Sequence, residues 1–493
     1  VTPSSARLGG GPLARVLAVV LHIALGVALS AALACSLGTL IIRPLDIVEG
    51  EILFEAGRVR DKLALYVDPL VGAYDYGPVP SRYYVLYTPL WPFLLGQLPK
   101  GIAPALARLI SGLAWFGLLA AMTTWATPAR RRAVVVAAAC AGATYMLSRN
   151  AAIVGADAVA AAVAGMALVR SARTAKVDML SGVLFALAAW IKPNVIGLAA
   201  GAFLYEVLAG KTRALRPILA AVAVSAGLAF WSHRLSDGMW LQHLAKSTMQ
   251  PIDPLRALEL TASRFPLLGA PHLFAAYCGW RARALPTVRL VLLALVASLL
   301  WTIMSAAKVG SSTNYWMEPS VAAVLLFAWA PVPGLRRLEW RGVQLAASLV
   351  ALGVLVDNTV ASLVAMDTVI RRGRAVGRVR AECGASPTDL VLAEHPGYEV
   401  MLNGRLLETP YQMTHLVRSG SYPIDLWEAD IRAPQIRCLV MESDLLERSL
   451  DQVNVADDRF GVELRAALVR RFERVTYDSG LWVYRARATP VSR

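Results

Sequence analysis

Charge is scarce in this chain and lopsided: 17% of its 493 residues are charged, and 49 Lys and Arg face only 34 Asp and Glu. With 57% hydrophobic residues beside that shortage, an ordinary soluble enzyme is excluded. The 5 cysteines, Cys35, Cys140, Cys278, Cys383 and Cys438, stand at no metal-ligand spacing, which excludes a cysteine-built zinc centre. No phosphate-cradling Gly-rich loop and no HExxH helix occurs, so the common nucleotide-binding and zinc-hydrolase classes fall away too. The internal repeat that many transporters carry is missing, and there is no low-complexity segment.

What is present is a series of apolar runs of about 16–28 residues, matching the roughly 20 residues that a helix needs to cross a bilayer. Basic clusters fall after every second run: Arg7 and Arg15; Arg130–Arg132; Arg170, Arg173 and Lys176; Lys211, Arg213 and Arg216; Arg281, Arg283 and Arg289; Arg336, Arg337 and Arg341. Short basic loops stay in the cytoplasm, so this beat predicts about eleven crossings with a cytoplasmic N-terminus. The formal net charge of +15 then follows from topology, and no nucleic-acid partner is implied. Crossings are expected at 14–42, 103–126, 133–148, 153–169, 178–191, 194–209, 217–232, 261–279, 286–304, 316–332 and 342–363. The first is too long for a signal-peptide core and reads as a retained helix. The apolar stretch 84–98, interrupted by Pro89 and Pro92, reads as an interfacial helix within a first outside loop, 43–102.

From residue 370 the long apolar runs stop and charge rises. Strand-like runs at 390–393, 437–441 and 481–484 alternate with helical stretches at 410–419 and 462–471. The expected architecture is an α-helical polytopic membrane domain, 1–369, followed by a small extracytoplasmic α/β domain, 370–493. Cys383 and Cys438 share that domain on the oxidising side, where pairing is an open alternative to free thiols.

The chemistry-bearing residues gather on the outward face. Asp46 and Glu49 stand at i, i+3 where the first outside loop leaves the membrane, a place where low dielectric raises a carboxylate's proton affinity and suits a general base. Asp157 sits at the mouth of an apolar helix, and with Asp46 or Glu49 could hold Mg²⁺ or Mn²⁺, since both prefer oxygen ligands. A dipole-favoured helix-start acid is its plainer reading. Lys192 and Lys308 interrupt apolar stretches on the same side, with Arg149 close in topology; such cations either snorkel or meet an anion such as phosphate. Tyr87 and Trp91 lie in a stretch dense in Tyr, Trp and Pro, either an interface belt or a sugar platform. Asn314, Tyr315 and Glu318 complete the set as candidate substrate contacts.

Tyr87-Thr-Pro-Leu90, Lys192-Pro and Gly310-Ser-Ser-Thr-Asn-Tyr-Trp-Met-Glu318, in this order behind an acid-bearing first loop, resemble bacterial GT-C-type membrane glycosyltransferases of the family 39 and lipid A aminoarabinose transferase kind. The likeness runs over about 14–330. It implies a GT-C-like fold and transfer of a hexosyl or pentosyl group from a polyprenyl-phosphate donor to an extracytoplasmic lipid, glycan or protein, typically with inversion. It further implies that a loop carboxylate (Asp46 or Glu49) acts as base and that Lys192, Lys308 and Arg149 hold the phosphate. Two other classes stay open on sequence: a lipid or polysaccharide transporter, and a membrane scaffold with an outer binding domain.

Overall fold

The computed structural model describes residues 47–126, 131–143, 151, 153–247, 252–264, 269–308, 313–330, 337–445 and 460–487, with positions 19, 20, 23, 27, 30, 34, 38 and 45. Fourteen helices precede the first strand among these residues: α1 (Ile47–Arg60), α2 (Leu90–Gly96), α3 (Ala103–Trp125), α4 (Arg131–Ala143), α5 (Asp157–Thr174), α6 (Met179–Ile191), α7 (Gly197–Ala209), α8 (Lys211–Ser236), α9 (Met239–Ser247), α10 (Pro254–Arg264), α11 (Ala270–Arg281), α12 (Pro286–Ala306), α13 (Met317–Trp329) and α14 (Arg337–Glu382). After them come β1 (Leu390–Ala393), α15 (Pro396–Asn403), α16 (Pro410–Arg418), α17 (Ile424–Ile431), β2 (Ile436–Met441), α18 (Val462–Arg471), β3 (Phe472–Asp478) and β4 (Leu481–Ala486).

Among the described residues, three helices are long and apolar enough to cross a membrane: α3, the Ala214–Ser236 part of α8, and α12. α6, α7 and α13 are apolar but only 13 residues long. At about 1.5 Å per residue each reaches roughly 20 Å, short of a full hydrocarbon core. The first expected crossing lies largely outside the described residues.

Small residues let these helices close on one another. Gly197 and Gly201 stand one turn apart on α7, and a methyl group at Gly197 would come within 2.5 Å of Ser298 Cα on α12. α5 is alanine-rich and buried on nearly every side, with Ala158, Ala160, Ala161, Ala164 and Ala167 all inside the main core. That burial fixes the start of α5, and with it Asp157.

Two expectations are corrected. Of the stretch 84–98 only Leu90–Gly96 is helical; residues 84–88 form neither helix nor strand, and Pro89 leads into the helix at φ −69°, ψ −11°. The backbone of Tyr84 is held on both sides by the Gln412 carboxamide and that of Val85 by His243, so the chain cannot coil there. Of the crossing expected at 261–279, residues 265–268 lie outside the described residues; α10 covers its start to Arg264 and α11 its end from Ala270. The last helix, 46 residues long, runs past 363, where the last crossing was expected to end, and stops at Glu382. Its arginines continue the helix, with Arg371 paired to Asp367 at i, i+4, and Gly384 at φ +64° supplies the stop.

The strands form one sheet in the order β1-β2-β4-β3, with β1 and β2 parallel and the other pairs antiparallel. A disulfide joins Cys383, at the end of α14, to Cys438 in β2, with Cα atoms 6.1 Å apart. This α/β unit grips the first loop. Arg82 N donates to Leu407 O at 2.7 Å, Arg405 reaches Val79 O at 2.9 Å, and Arg82 forms an ion pair with Asp430. Gly50 on α1 leaves so little room that an added methyl would stand 2.5 Å from Gly397 Cα on α15.

Candidate active site

Pro193 shapes the centre of the site. A residue before proline is driven out of the helical region, so α6 stops at Ile191 and Lys192 turns extended at φ −144°, ψ 112°. That turn throws the Lys192 side chain onto Asp157, in the first turn of α5, and the two form a buried ion pair. The Asp157 carboxylate also accepts a hydrogen bond from Asn314 Nδ2 at 2.6 Å. The Lys192 ammonium lies 5.4 Å from the Tyr87 ring centroid and 5.7 Å from that of Tyr315. Asn194 Nδ2 donates to the Tyr315 hydroxyl at 2.9 Å.

Asp157, Lys192, Asn194, Asn314, Tyr315 and Glu318 line one small cavity. Burial lowers the proton affinity of Lys192, but Asp157 and then the two phenols outweigh it and raise that affinity above the ordinary lysine value. Lys308, just past α12, is held by an isolated bridge to Ile252. Burial, and then the Lys192 charge, lower its pKa to about 8. Among the described residues no acid pairs with Lys308.

Glu49 has a different setting. Its two oxygens accept from Arg108 Nε at 2.7 Å and Nη2 at 2.8 Å, with both side chains buried. Val154 N donates to Glu49 at 2.9 Å, and Trp91 Nε1 donates to Val154 O at 3.2 Å. Glu49 and Trp91 thus clamp the turn that delivers Asp157. Trp91 is buried and serves this clamp, where a substrate platform was expected. Glu318 accepts from Gly197 N at 3.3 Å and Leu198 N at 2.9 Å, so it caps α7 while lining the cavity. Asp46 and Arg149 lie outside the described residues.

Sequence reasoning missed three residues. Arg108 stands inside α3, where an isolated cation in an apolar run was the available signal. Glu51 and Glu55 lie at i, i+4 on the flank of α1 away from Glu49, both buried. Burial raises the Glu51 pKa to about 8; burial, and then the neighbouring Glu51, hold Glu55 well above the carboxylate range. Among the described residues no group of three or more His, Cys, Asp or Glu converges on a point. Asp157 faces an ammonium and an amide N–H, both hydrogen-bond donors that a cation would have to displace. This donor set does not fit Mg²⁺ or Mn²⁺.

No family model matches the chain, and no curated protein matches its sequence. Solved structures do resemble it. The crystal structure of ArnT from Cupriavidus metallidurans bound to undecaprenyl phosphate matches with a TM-score of 0.59 at 13% identity, covering 93% of this chain and 97% of that one. The same protein in the apo state matches at 0.56 and 15% identity with the same coverage. At such identity the likeness is one of fold, and the fold is the GT-C fold of ArnT, the lipid A aminoarabinose transferase.

Proposed function

We propose that this chain is an integral-membrane glycosyltransferase that moves a hexosyl or pentosyl group from a polyprenyl-phosphate donor to an acceptor hydroxyl. The observation that carries the reading is the buried Lys192–Asp157 pair, flanked by Tyr87, Asn314 and Tyr315, within a fold shared with a protein crystallised with undecaprenyl phosphate. The acceptor oxygen attacks C1 of the sugar from the face opposite the phosphate and the C1–O bond breaks, so configuration inverts. The departing electron pair stays on the phosphate, where Lys192 and Lys308 offset the growing charge; Arg149 is a further phosphate candidate. Asp157 holds Lys192 in place before the lipid arrives and yields part of that contact to the phosphate. Tyr87, Asn314 and Tyr315 supply hydrogen bonds for the sugar. A carboxylate at the start of α1 takes the acceptor proton, with Asp46 and Glu49 the residues that the sequence nominates.

The reaction faces the extracytoplasmic side of a bacterial inner membrane, with a cytoplasmic N-terminus and the α/β unit outside. The basic-loop pattern supports this orientation, and so does the Cys383–Cys438 disulfide, a bond of oxidising compartments. The acceptor is a lipid, a glycan or a protein. The test is incubation of the purified protein in lipid with a polyprenyl-phosphate-linked labelled sugar and candidate acceptors. Transfer of label with release of polyprenyl phosphate, lost in Lys192→Met, supports the reading; label that crosses the bilayer still attached to its lipid contradicts it.

A further inference from the structure

We propose that His243 is a positioning residue of the active site that acts through Tyr87, an assignment that rests on the glycosyltransferase reading above. Residues 84–88 form neither helix nor strand, so their backbone amides lack the partners that a ladder would supply. Val85 is fully buried, where an amide N–H without a partner is costly. His243, on α9 and equally buried, accepts from Val85 N at its Nδ1 atom, 3.0 Å away. Its Nε2 atom therefore carries the proton and donates to Val67 O at 2.9 Å. One neutral imidazole thus ties Val67 to Val85, the two ends of the segment between them.

Just past Val85, Tyr87 reaches the Lys192 ammonium, which lies 5.4 Å from its ring centroid. The backbone there is fixed on both flanks. Tyr66 Oη donates to Tyr87 O at 3.3 Å, and Thr88 Oγ1 donates to Trp190 O, close before Lys192 in the chain. The His243 ring braces the same frame: its centroid lies 5.2 Å from that of Tyr66, edge to face, and 5.3 Å from that of Tyr84. One turn earlier on α9, the Trp240 ring packs on Trp190 with centroids 5.6 Å apart. α9 therefore touches both sides of the Tyr87–Lys192 contact, through His243 the side that carries Tyr87 and through Trp240 the side that carries Lys192. A side chain that only filled space would need no imidazole, yet both nitrogens of this one are committed to backbone groups.

The consequence for the reaction is one of placement. His243 does not line the cavity and exchanges no proton in the transfer step. It holds Tyr87 where its ring faces the Lys192 ammonium, so that this cation is already aimed when charge builds on the phosphate. Without the imidazole the Val85 amide loses its partner, the segment shifts, and Tyr87 moves with it.

The test is a double-mutant cycle on the full-length protein in lipid, following transfer from a polyprenyl-phosphate-linked labelled sugar. His243→Leu is expected to lower kcat by about 10- to 100-fold. His243→Asn, whose amide oxygen takes the place of Nδ1, recovers most of that loss; His243→Gln, whose amide nitrogen replaces only Nε2, does not. Tyr87→Ala is slow as well, and adding His243→Leu to it lowers the rate no further. Losses that multiply in the double variant, or full kcat in either His243→Leu or Tyr87→Ala, overturn this assignment alone. Should His243→Leu fail to fold, the two amide variants decide: a faster asparagine variant supports the assignment, and equal rates or the reverse order overturn it. Wild type that makes no glycosidic bond overturns the functional reading and this one with it.

Discussion

Lys192 and Asp157, 35 positions apart, form a buried ion pair where the ends of two helices meet. Removing one partner leaves a charge stranded in the protein, at a cost of about 3–5 kcal/mol. Lys192→Met is therefore expected to lower thermal stability in detergent and to abolish donor binding. The double variant Lys192→Met with Asp157→Leu should regain stability and still fail to bind donor. Regained binding in the double variant would assign the pair a purely structural role.

Glu49 and Arg108 make a second such pair, which joins α1 to α3 and holds the turn before Asp157. Glu49→Ala is expected to cost about 3–5 kcal/mol, read as a drop in unfolding temperature. Glu49→Leu combined with Arg108→Met should recover most of that loss. An unchanged unfolding temperature in Glu49→Ala would contradict the geometry.

How far the chain could be read before folding depended on the kind of signal. Lys192, Asp157, Asn314 and Tyr315 stand out because a charged or amide side chain at the edge of an apolar run is conspicuous, and the structure brings them together at one cavity. Their partners were not legible. Nothing in the spacing says that Glu49 meets Arg108, since that pairing depends on how α1 crosses α3, which is set by packing of Ile52, Ala56 and Trp115. The burial of Glu49 and Glu51 was hidden for the same reason: α1 is covered on one side by the membrane helices and on another by α15. β3 was overlooked because its residues Glu473, Arg474 and Val475 are all exposed, leaving no alternation to detect.

Gly50 is a test of that covering. A side chain there runs into the backbone of Gly397, so Gly50→Val is expected to push the α/β unit off α1, at a cost of about 1–3 kcal/mol. Limited proteolysis near residue 397 should speed up. Equal proteolysis in variant and wild type would show that the two surfaces do not touch.

The Cys383–Cys438 bond closes a loop with a sequence separation of 55. Its loss in Cys383→Ala with Cys438→Ala should cost about 2–5 kcal/mol. Maleimide labelling of the denatured, unreduced protein checks the bond itself: both thiols should be blocked, and free thiols at these positions would refute the pairing.

Glu51 also makes stability depend on pH. Its native pKa of about 8 stands above the ordinary 4.5, so between those values the native protein keeps a proton that the unfolded chain has lost. The contribution is complete below 4.5 and is lost as pH rises through about 8. Relative to Glu51→Gln, wild type should therefore weaken steadily across that window, as followed by unfolding temperature. A difference between the two that does not vary with pH would place Glu51 in water.

The most direct measurement is single-turnover transfer from a polyprenyl-phosphate-linked labelled sugar by the purified protein in lipid, comparing wild type with Lys192→Met. The expected result is a new, inverted glycosidic bond and one released polyprenyl phosphate per sugar in wild type, with neither in the variant. Donor recovered intact from wild type, or equal transfer by both proteins, would contradict the account.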